Sequence, residues 1–358
     1  MTATARRLAK RVLAHGLVRT GWWDVALGSW ARRDATVVLT YHRVLETPGP
    51  ALDYSQPGMV VTAATFERQL SFLERHFDVV PLGALLGDTS RRPGGRPRCV
   101  ITFDDGWRDN HDLALPILKK HGLPATIYLT TDFIGTDRAF WHTELIYLFL
   151  SMRIARFLRD DRVLADYPET VRSGVRQCLG SVVDAVAVDG LIETLKAACD
   201  EDVIQRLLTT LAAVAGLQRP LFRGRRFFLD WDQVRHMAAH GFEIGSHGCS
   251  HRIMTRLTVE GAREELTRSR AEIEQRLGRG VVHFAFPNEN ANRTLIDLVA
   301  RAGYRTACVG HAEDDVAGSG LLTLRRAGMH EGVGIGGSSH DDAVLSLSLF
   351  RAPKSRPA

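Results

Sequence analysis

Two short clusters in this chain of 358 residues bring together side chains able to work on one bond: Asp104-Asp105-Gly106 and His247-Gly248-Cys249-Ser250-His251. Adjacent carboxylates repel each other unless a cation or hydrogen bonds stabilise them, so the pair asks for a purpose. Successive side chains on an extended segment face opposite ways, so one carboxylate can turn toward a metal and the other toward a bound water. The plainer alternative is an Asp-Gly turn with solvated carboxylates. Imidazoles four residues apart point the same way on a helical turn, a common way to hold a divalent ion. Taken alone, such a pair is as readily surface or core histidine. One carboxylate with two imidazoles leaves positions open for water and substrate, as a catalytic rather than a structural metal site requires. Cys249 lies inside the second cluster, but its neighbours suffice as ligands and a buried free thiol is the simpler reading.

Each cluster directly follows an expected strand, residues 99–103 for the first and 242–245 for the second. Further strands are expected over residues 37–41, 125–129, 283–286, 305–309 and 321–324. Helices fall between them. Thr62 reads as an N-cap, with Phe66, Leu70, Leu73 and Phe77 on one helical face. Residues 108–121 form a helix stopped by Gly122, with Pro124 just beyond. Asp230 and Gln233 suit a capping box for a helix ending at Gly241. Thr258 caps a longer helix that turns Val259, Ala262, Leu266, Ile273 and Leu277 inward and ends at Gly278. Residues 294–302 complete the set. Strands alternating with helices predict an α/β fold with a parallel sheet, closed or nearly closed into a barrel whose strand ends gather the reactive side chains.

The rhythm changes between residues 138 and 226, where Leu, Ala, Val, Arg and Asp recur at helical spacing. We read this stretch as a helical insertion, a lid or substrate platform on the side of the barrel where the strands end. The organisation expected is a basic amphipathic arm (1–35), a first barrel part (36–137), the insertion (138–226), a second barrel part (227–335) and a flexible tail (336–358).

Composition narrows the class. With 45% hydrophobic and 24% charged residues, the chain is that of an ordinary globular protein. No apolar run approaches the roughly 20 residues that span a bilayer. The net charge of +5 is partly local, with Arg6, Arg7, Lys10, Arg11 and Arg19 near the start and Arg91, Arg92, Arg96 and Arg98 in a Pro/Gly-rich loop. No basic stripe is interleaved with aromatics, so nucleic acid is not an expected partner. Five scattered cysteines fit neither a disulfide framework nor a paired-Cys zinc pattern, and reduced thiols imply the cytoplasm. The N-terminus lacks the apolar core of a signal peptide. Residues 8–30 mix Arg and Lys with Leu, Val and three Trp. This segment reads either as a helix on the anionic inner face of a membrane or as a helix packed on the domain.

Thr102-Phe103-Asp104-Asp105-Gly106 followed by Ser246-His247-x-x-x-His251 resembles the polysaccharide deacetylase family, the NodB-homology domain of carbohydrate esterase family four. Supporting matches are Leu39-Thr40-Tyr41-His42-Arg43-Val44, Phe284-Ala285-Phe286-Pro287-Asn288 and Ala302-Gly303-Tyr304. The similarity covers residues 36–137 and 227–328. It implies an irregular (β/α) barrel with a helical insertion, and a hydrolase that removes an N-acetyl group from an amino sugar of a polysaccharide, oligosaccharide or glycolipid precursor. It further implies Asp105, His247 and His251 as metal ligands and Asp104 as general base. Zn2+ is the default ion, and Co2+, Ni2+ or Fe2+ fit the same donors. The chemistry agrees: a divalent ion polarises the amide carbonyl and acidifies bound water while a carboxylate takes the proton. The oxyanion then meets a backbone N–H, that of Asn288 after Pro287.

Three departures stand out. Gly248 replaces the hydroxyl residue that orients the second histidine in many relatives, Ala285 stands where an arginine often holds the base, and Asn288-Glu289 replaces an aromatic-Gly or Asn-Gly pair. No Leu-x-His motif supplies the acid. His330 is the candidate for it, against a loop histidine with no role, and His42 either lines the pocket or serves structure. A deformylase or deacetylase on a lipid-linked sugar or antibiotic precursor is the alternative activity. A non-catalytic glycan-binding relative is opposed by the intact Asp104, Asp105, His247 and His251.

Overall fold

Short buried runs, bounded by turns and too brief for helices, form a parallel barrel in the computed structural model of the protein. In chain order the strands are β1 (Thr36–Tyr41), β2 (Arg98–Phe103), β3 (Ala125–Leu129), β4 (Phe242–Ser246), β5 (His283–Ala285), β6 (Thr306–Val309) and β7 (Leu324–Gly328). The structure describes residues 3–33, 35–47, 54–87, 95–152, 154, 158, 161–180, 183–312, 320–334 and 341–355. Strands β2 to β7 pair in sequence, and β1 closes the ring between β7 and β2. Thr40 stands opposite Thr102 on one side and Gly328 on the other, so these three strands end at a common mouth. Every residue of β1 and β3 is buried, as parallel strands covered on both faces demand.

The helices of this unit are α1 (Ala3–Arg19), α2 (Trp22–Arg32), α3 (Ala63–His76), α4 (Leu115–His121), α5 (Trp231–Ala239), α6 (Val259–Leu277), α7 (Arg293–Arg301) and α8 (Asp342–Arg351). Their starts follow the expected chemistry. The Thr62 and Thr258 side chains accept from Thr65 and Gly261 amides, and Asp230 and Gln233 form a reciprocal capping box.

Three expectations are corrected. The last strand is Leu324–Gly328, because residues Gly320–Thr323 form a 3-10 turn and the burial alternates from Leu324 to Arg326 with Arg325 exposed. The segment before α4 opens with a wide π-helical turn at Asn110–Ala114 rather than running as one α-helix from residue 108. The expected flexible tail is partly helical. Residues 336–340 and 356–358 lie outside the described residues, but α8 buries Ala343, Val344 and Leu347 against Ala14 of α1. Beyond it, Ser355 exchanges two backbone hydrogen bonds of 2.9 Å with Thr36 at the start of β1. In the N-terminal arm, Trp23 and Trp30 are buried and meet edge-to-face at 5.6 Å, and half-buried Trp22 meets Phe350 at 4.3 Å, so all three tryptophans serve packing. Among the described residues, no helix is long and apolar enough to cross a membrane.

A second compact unit comprises Thr47–Val60 and Asp137–Phe227. Thr47–Val60, read from the sequence as part of the first barrel segment, thus groups here. Helices Glu169–Gly180, Ala185–Ala198 and Glu201–Val214 share a core that includes Val175, Leu191, Ile192, Leu195, Leu207 and Leu211.

Candidate active site

Strand β2 delivers Asp104 and Asp105 to the barrel mouth through a turn that only certain residues can make. Asp105 and Gly106 both have left-handed backbones, with φ of 74° and 81°. A Cβ at Gly106 would lie 2.9 Å from Ile134 Cδ1, a side-chain end that could shift, so it is the left-handed backbone that calls for glycine there. Both carboxylates are buried. Asp105 Oδ2 accepts the Trp107 indole N–H at 2.7 Å, while Oδ1 is buried with no hydrogen-bond partner. That Oδ1 lies 3.1 Å from His251 Nε2 and 3.5 Å from His247 Nε2.

His247 follows β4, and its Nδ1–H donates to the Ala285 carbonyl at 2.8 Å, which leaves Nε2 with its lone pair toward Asp105. The expected helical turn between the two histidines is not what aligns them. Residues 247–251 are a loop with left-handed Gly248 and His251, at φ 77° and 61°. Glu265 of α6 pins that loop by accepting from the Ser250 N–H at 3.0 Å and from the Cys249 N–H and the Ser250 hydroxyl. A Cβ at residue 248 would come within 2.9 Å of the Glu265 carboxylate, which explains the glycine. Cys249 is buried, its thiol pushed up to about 12 by burial and by Glu265, so it stays protonated.

Asp105, His247 and His251 offer one ligand atom each, all within 4.8 Å of one another. An unsatisfied buried carboxylate oxygen costs about 1–3 kcal/mol, and a divalent ion among these three donors removes that cost. Burial alone would raise the Asp105 pKa, but His251, with His42 and His247, holds it far below the usual range. Burial keeps the His247 imidazole below its ordinary value despite Asp104 and Asp105. An ionised carboxylate and a neutral imidazole are the forms that bind metal.

Asp104 lives in a different environment. Arg326 of β7 grips it with two parallel hydrogen bonds, Nη1 to Oδ1 at 2.7 Å and Nη2 to Oδ2 at 2.6 Å. Glu289 closes the far side of the same guanidinium, at 3.1 Å from Nε and 2.9 Å from Nη2. Burial would raise the Asp104 pKa, and Arg326 outweighs it, with His247 and His42 adding to the same effect. The Thr40 hydroxyl donates to Oδ2 at 3.4 Å, and His42 Nε2 lies 3.8 Å from that oxygen. The arginine missing at position 285 is therefore supplied from another strand. Sequence reading overlooked Arg326, Glu289, Trp107 and Glu265 as site residues. The inward phase of Arg326, two residues after buried Leu324, was the available signal.

Other expected residues are more dispersed. Pro287 is buried and Asn288 exposed in the turn after β5, where Asn288 and Glu289 adopt left-handed φ of 57° and 60°. Gly310 accommodates this, since a Cβ there would lie 2.8 Å from Glu289 Cβ. His330 follows β7, and its Nδ1 accepts the Gly332 N–H at 3.1 Å, which leaves the proton on Nε2. Burial holds its pKa below the ordinary value.

The sequence profile of a family described as polysaccharide deacetylase matches residues 91–177 and 196–307. The chain is 54% identical over 39 residues to YxkH of Bacillus subtilis (strain 168), covering 11% of this chain and 14% of that protein. It is 33% identical over 81 residues to YlxY of the same strain, covering 21% and 25%. The matched segments thus span a quarter or less of these relatives. Among solved structures, Streptococcus pyogenes deacetylase PplD in complex with acetate superposes with a TM-score of 0.53 at 15% identity, covering 88% of this chain and 98% of that one. BC0361, a polysaccharide deacetylase from Bacillus cereus, gives 0.53 at 15% identity, covering 88% and 69%. IcaB from Ammonifex degensii gives 0.51 at 15% identity, covering 88% and 97%. At such identity these likenesses speak for a shared fold.

Proposed function

The chain belongs to the polysaccharide deacetylase family, and from that premise we propose that it hydrolyses the N-acetyl group of an amino sugar in a polysaccharide, oligosaccharide or glycolipid precursor. The observation that carries this reading is the unpartnered Asp105 Oδ1 facing two imidazole nitrogens, beside a second carboxylate locked by an arginine. Asp105, His247 and His251 would hold a divalent ion, zinc by default, whose chemistry is to polarise the amide carbonyl and acidify a water.

The chain's own groups do the rest. Asp104 takes the proton of the attacking water, and the two-point grip of Arg326 fixes its plane and keeps it ionised. Addition of water to the carbonyl carbon places negative charge on the carbonyl oxygen, and we assign the Asn288 N–H to meet it. Cleavage of the C–N bond releases acetate and the amine; for His330 to protonate that amine, its ring must first leave the neutral form in which Nδ1 accepts from Gly332. His42, beside Asp104, lines the same mouth. We place the enzyme in the cytoplasm. Exposed Leu8 and Val12 on α1, with Arg19 on the same face, would contact an anionic membrane surface.

The test is acetate release from N-acetylglucosamine oligomers by the zinc-loaded protein, compared with Asp104→Asn. Acetate from the wild type, lost in a variant that still holds zinc, supports the reading. Formate release from an N-formylated sugar in place of acetate would reassign the acyl group. Equal turnover by Asp104→Asn would remove that residue from the role of base.

A further inference from the structure

We propose that His111, His236 and His240 form a second divalent-cation site, outside the Asp105 cluster, taking zinc or a similar borderline ion such as nickel or copper. His111 lies in the wide turn Asn110–Ala114, while His236 and His240 stand one helical turn apart at the C-terminal end of α5. His111 Nε2 and His236 Nδ1 are 2.9 Å apart. Two nitrogens bound to tetrahedral zinc at its usual bond length lie about 3.3 Å apart, so these rings already stand near the spacing such an ion imposes.

The surrounding hydrogen bonds fix where the lone pairs are. Asp112 Oδ1 lies 2.9 Å from His111 Nδ1. A carboxylate can only accept, so the proton sits on Nδ1 and the lone pair on Nε2. A carboxylate behind a histidine is the arrangement that orients the ring in metal sites and strengthens it as a ligand. The Gln233 amide of α5 donates to the same Asp112 oxygen at 3.3 Å. His240 Nδ1 is 2.8 Å from the His236 carbonyl, which likewise only accepts, so its Nε2 is the unprotonated nitrogen. The His236 and His240 ring centroids are 4.4 Å apart.

Desolvation, with His240, His111 and Lys119 nearby, lowers the His236 pKa, which favours the neutral ring that metals require. Occupancy then needs two changes. The His236 ring proton moves from Nδ1 to Nε2, and His240 gives up its hydrogen bond to the His236 carbonyl and rotates to present its nitrogen as the third ligand. No proton is gained or lost by the protein in that exchange. The ion would tie α5 to the turn that also carries Asp109 and Asn110. Those two residues hold the Arg43 guanidinium at 2.8 Å and the His42 carbonyl at 2.8 Å.

The experiment is zinc content after dialysis against excess zinc, on the full chain and on two variants. The expected result is two ions per chain for wild type, one for the double variant His236→Gln/His240→Gln, and one for His247→Ala. In the His247→Ala background, zinc should also raise the melting temperature, and the double variant should abolish that rise. A second ion that persists in the double variant, or a wild type that never takes more than the ion removed by His247→Ala, overturns the proposal. A single wild-type ion that survives His247→Ala but vanishes in the double variant would support this site while sinking the metal centre of the proposed function.

Discussion

Asp104 and Asp105 are neighbours in the chain and both are buried, yet the two sides of the mouth treat them in opposite ways. On the Asp105 side, a neutral indole N–H takes one oxygen, and the other lies 3.1 and 3.5 Å from two imidazole nitrogens. On the Asp104 side, a full positive charge engages both oxygens and is itself shared with Glu289. The first arrangement leaves a negative charge available to a cation. The second satisfies the charge and orients it, leaving the carboxylate as a positioned proton acceptor. One dipeptide thus serves two chemistries because its surroundings differ, and the left-handed turn at Asp105 is what separates them.

The sharpest way to break the contrast is to remove the charge on the open side. Asp105→Asn is expected to eliminate the ion from this centre and reduce acetate release to background, read by elemental analysis and product assay. Asp104→Asn should retain the ion and lose about 10²- to 10⁴-fold in turnover, the usual worth of a positioned general base. Arg326→Met would leave a buried carboxylate unpaired. The expected loss is about 3–5 kcal/mol in denaturant unfolding, and Arg326→Lys should restore charge without the two-point grip. Trp107→Phe tests the quieter side. Removing the hydrogen bond behind a ligand should weaken metal binding about 10- to 100-fold, with turnover at saturating metal near wild type. The smallest effect belongs to Glu289→Gln. Glu289 is partly exposed, so its ion pair should contribute less than about 1 kcal/mol, and a larger loss would mean that it shares in fixing Arg326.

Much of this contrast is legible in the sequence. Acidic and histidine clusters directly after apolar runs mark strand ends at a barrel mouth, and the Thr62, Thr258 and Asp230 caps were visible as local chemistry. The remainder depends on closure of the ring. The arginine for Asp104 is absent at residue 285, on the strand after the histidines, and arrives instead on β7, which lies beside β1 only because the sheet closes. No local spacing encodes that neighbour. The spacing of the histidine pair alone suggests a helical turn, whereas Gly248 lets the loop pass Glu265, which Cys249 meets from 16 residues away in the chain. In the tail, serines between the apolar residues of α8 masked the stripe that packs on α1.

The placement of Arg326 has a consequence for how the protein is born. It meets Asp104 across 222 residues of chain. At a synthesis rate of about 5–20 residues per second, roughly 10–45 s separate the two on the ribosome. A nascent chain therefore carries the acid long before its counter-ion exists, and burying that charge early would be unfavourable. Competence comes with the closing strand: a polypeptide halted short of Arg326 would keep every metal ligand and lack the hold on its base.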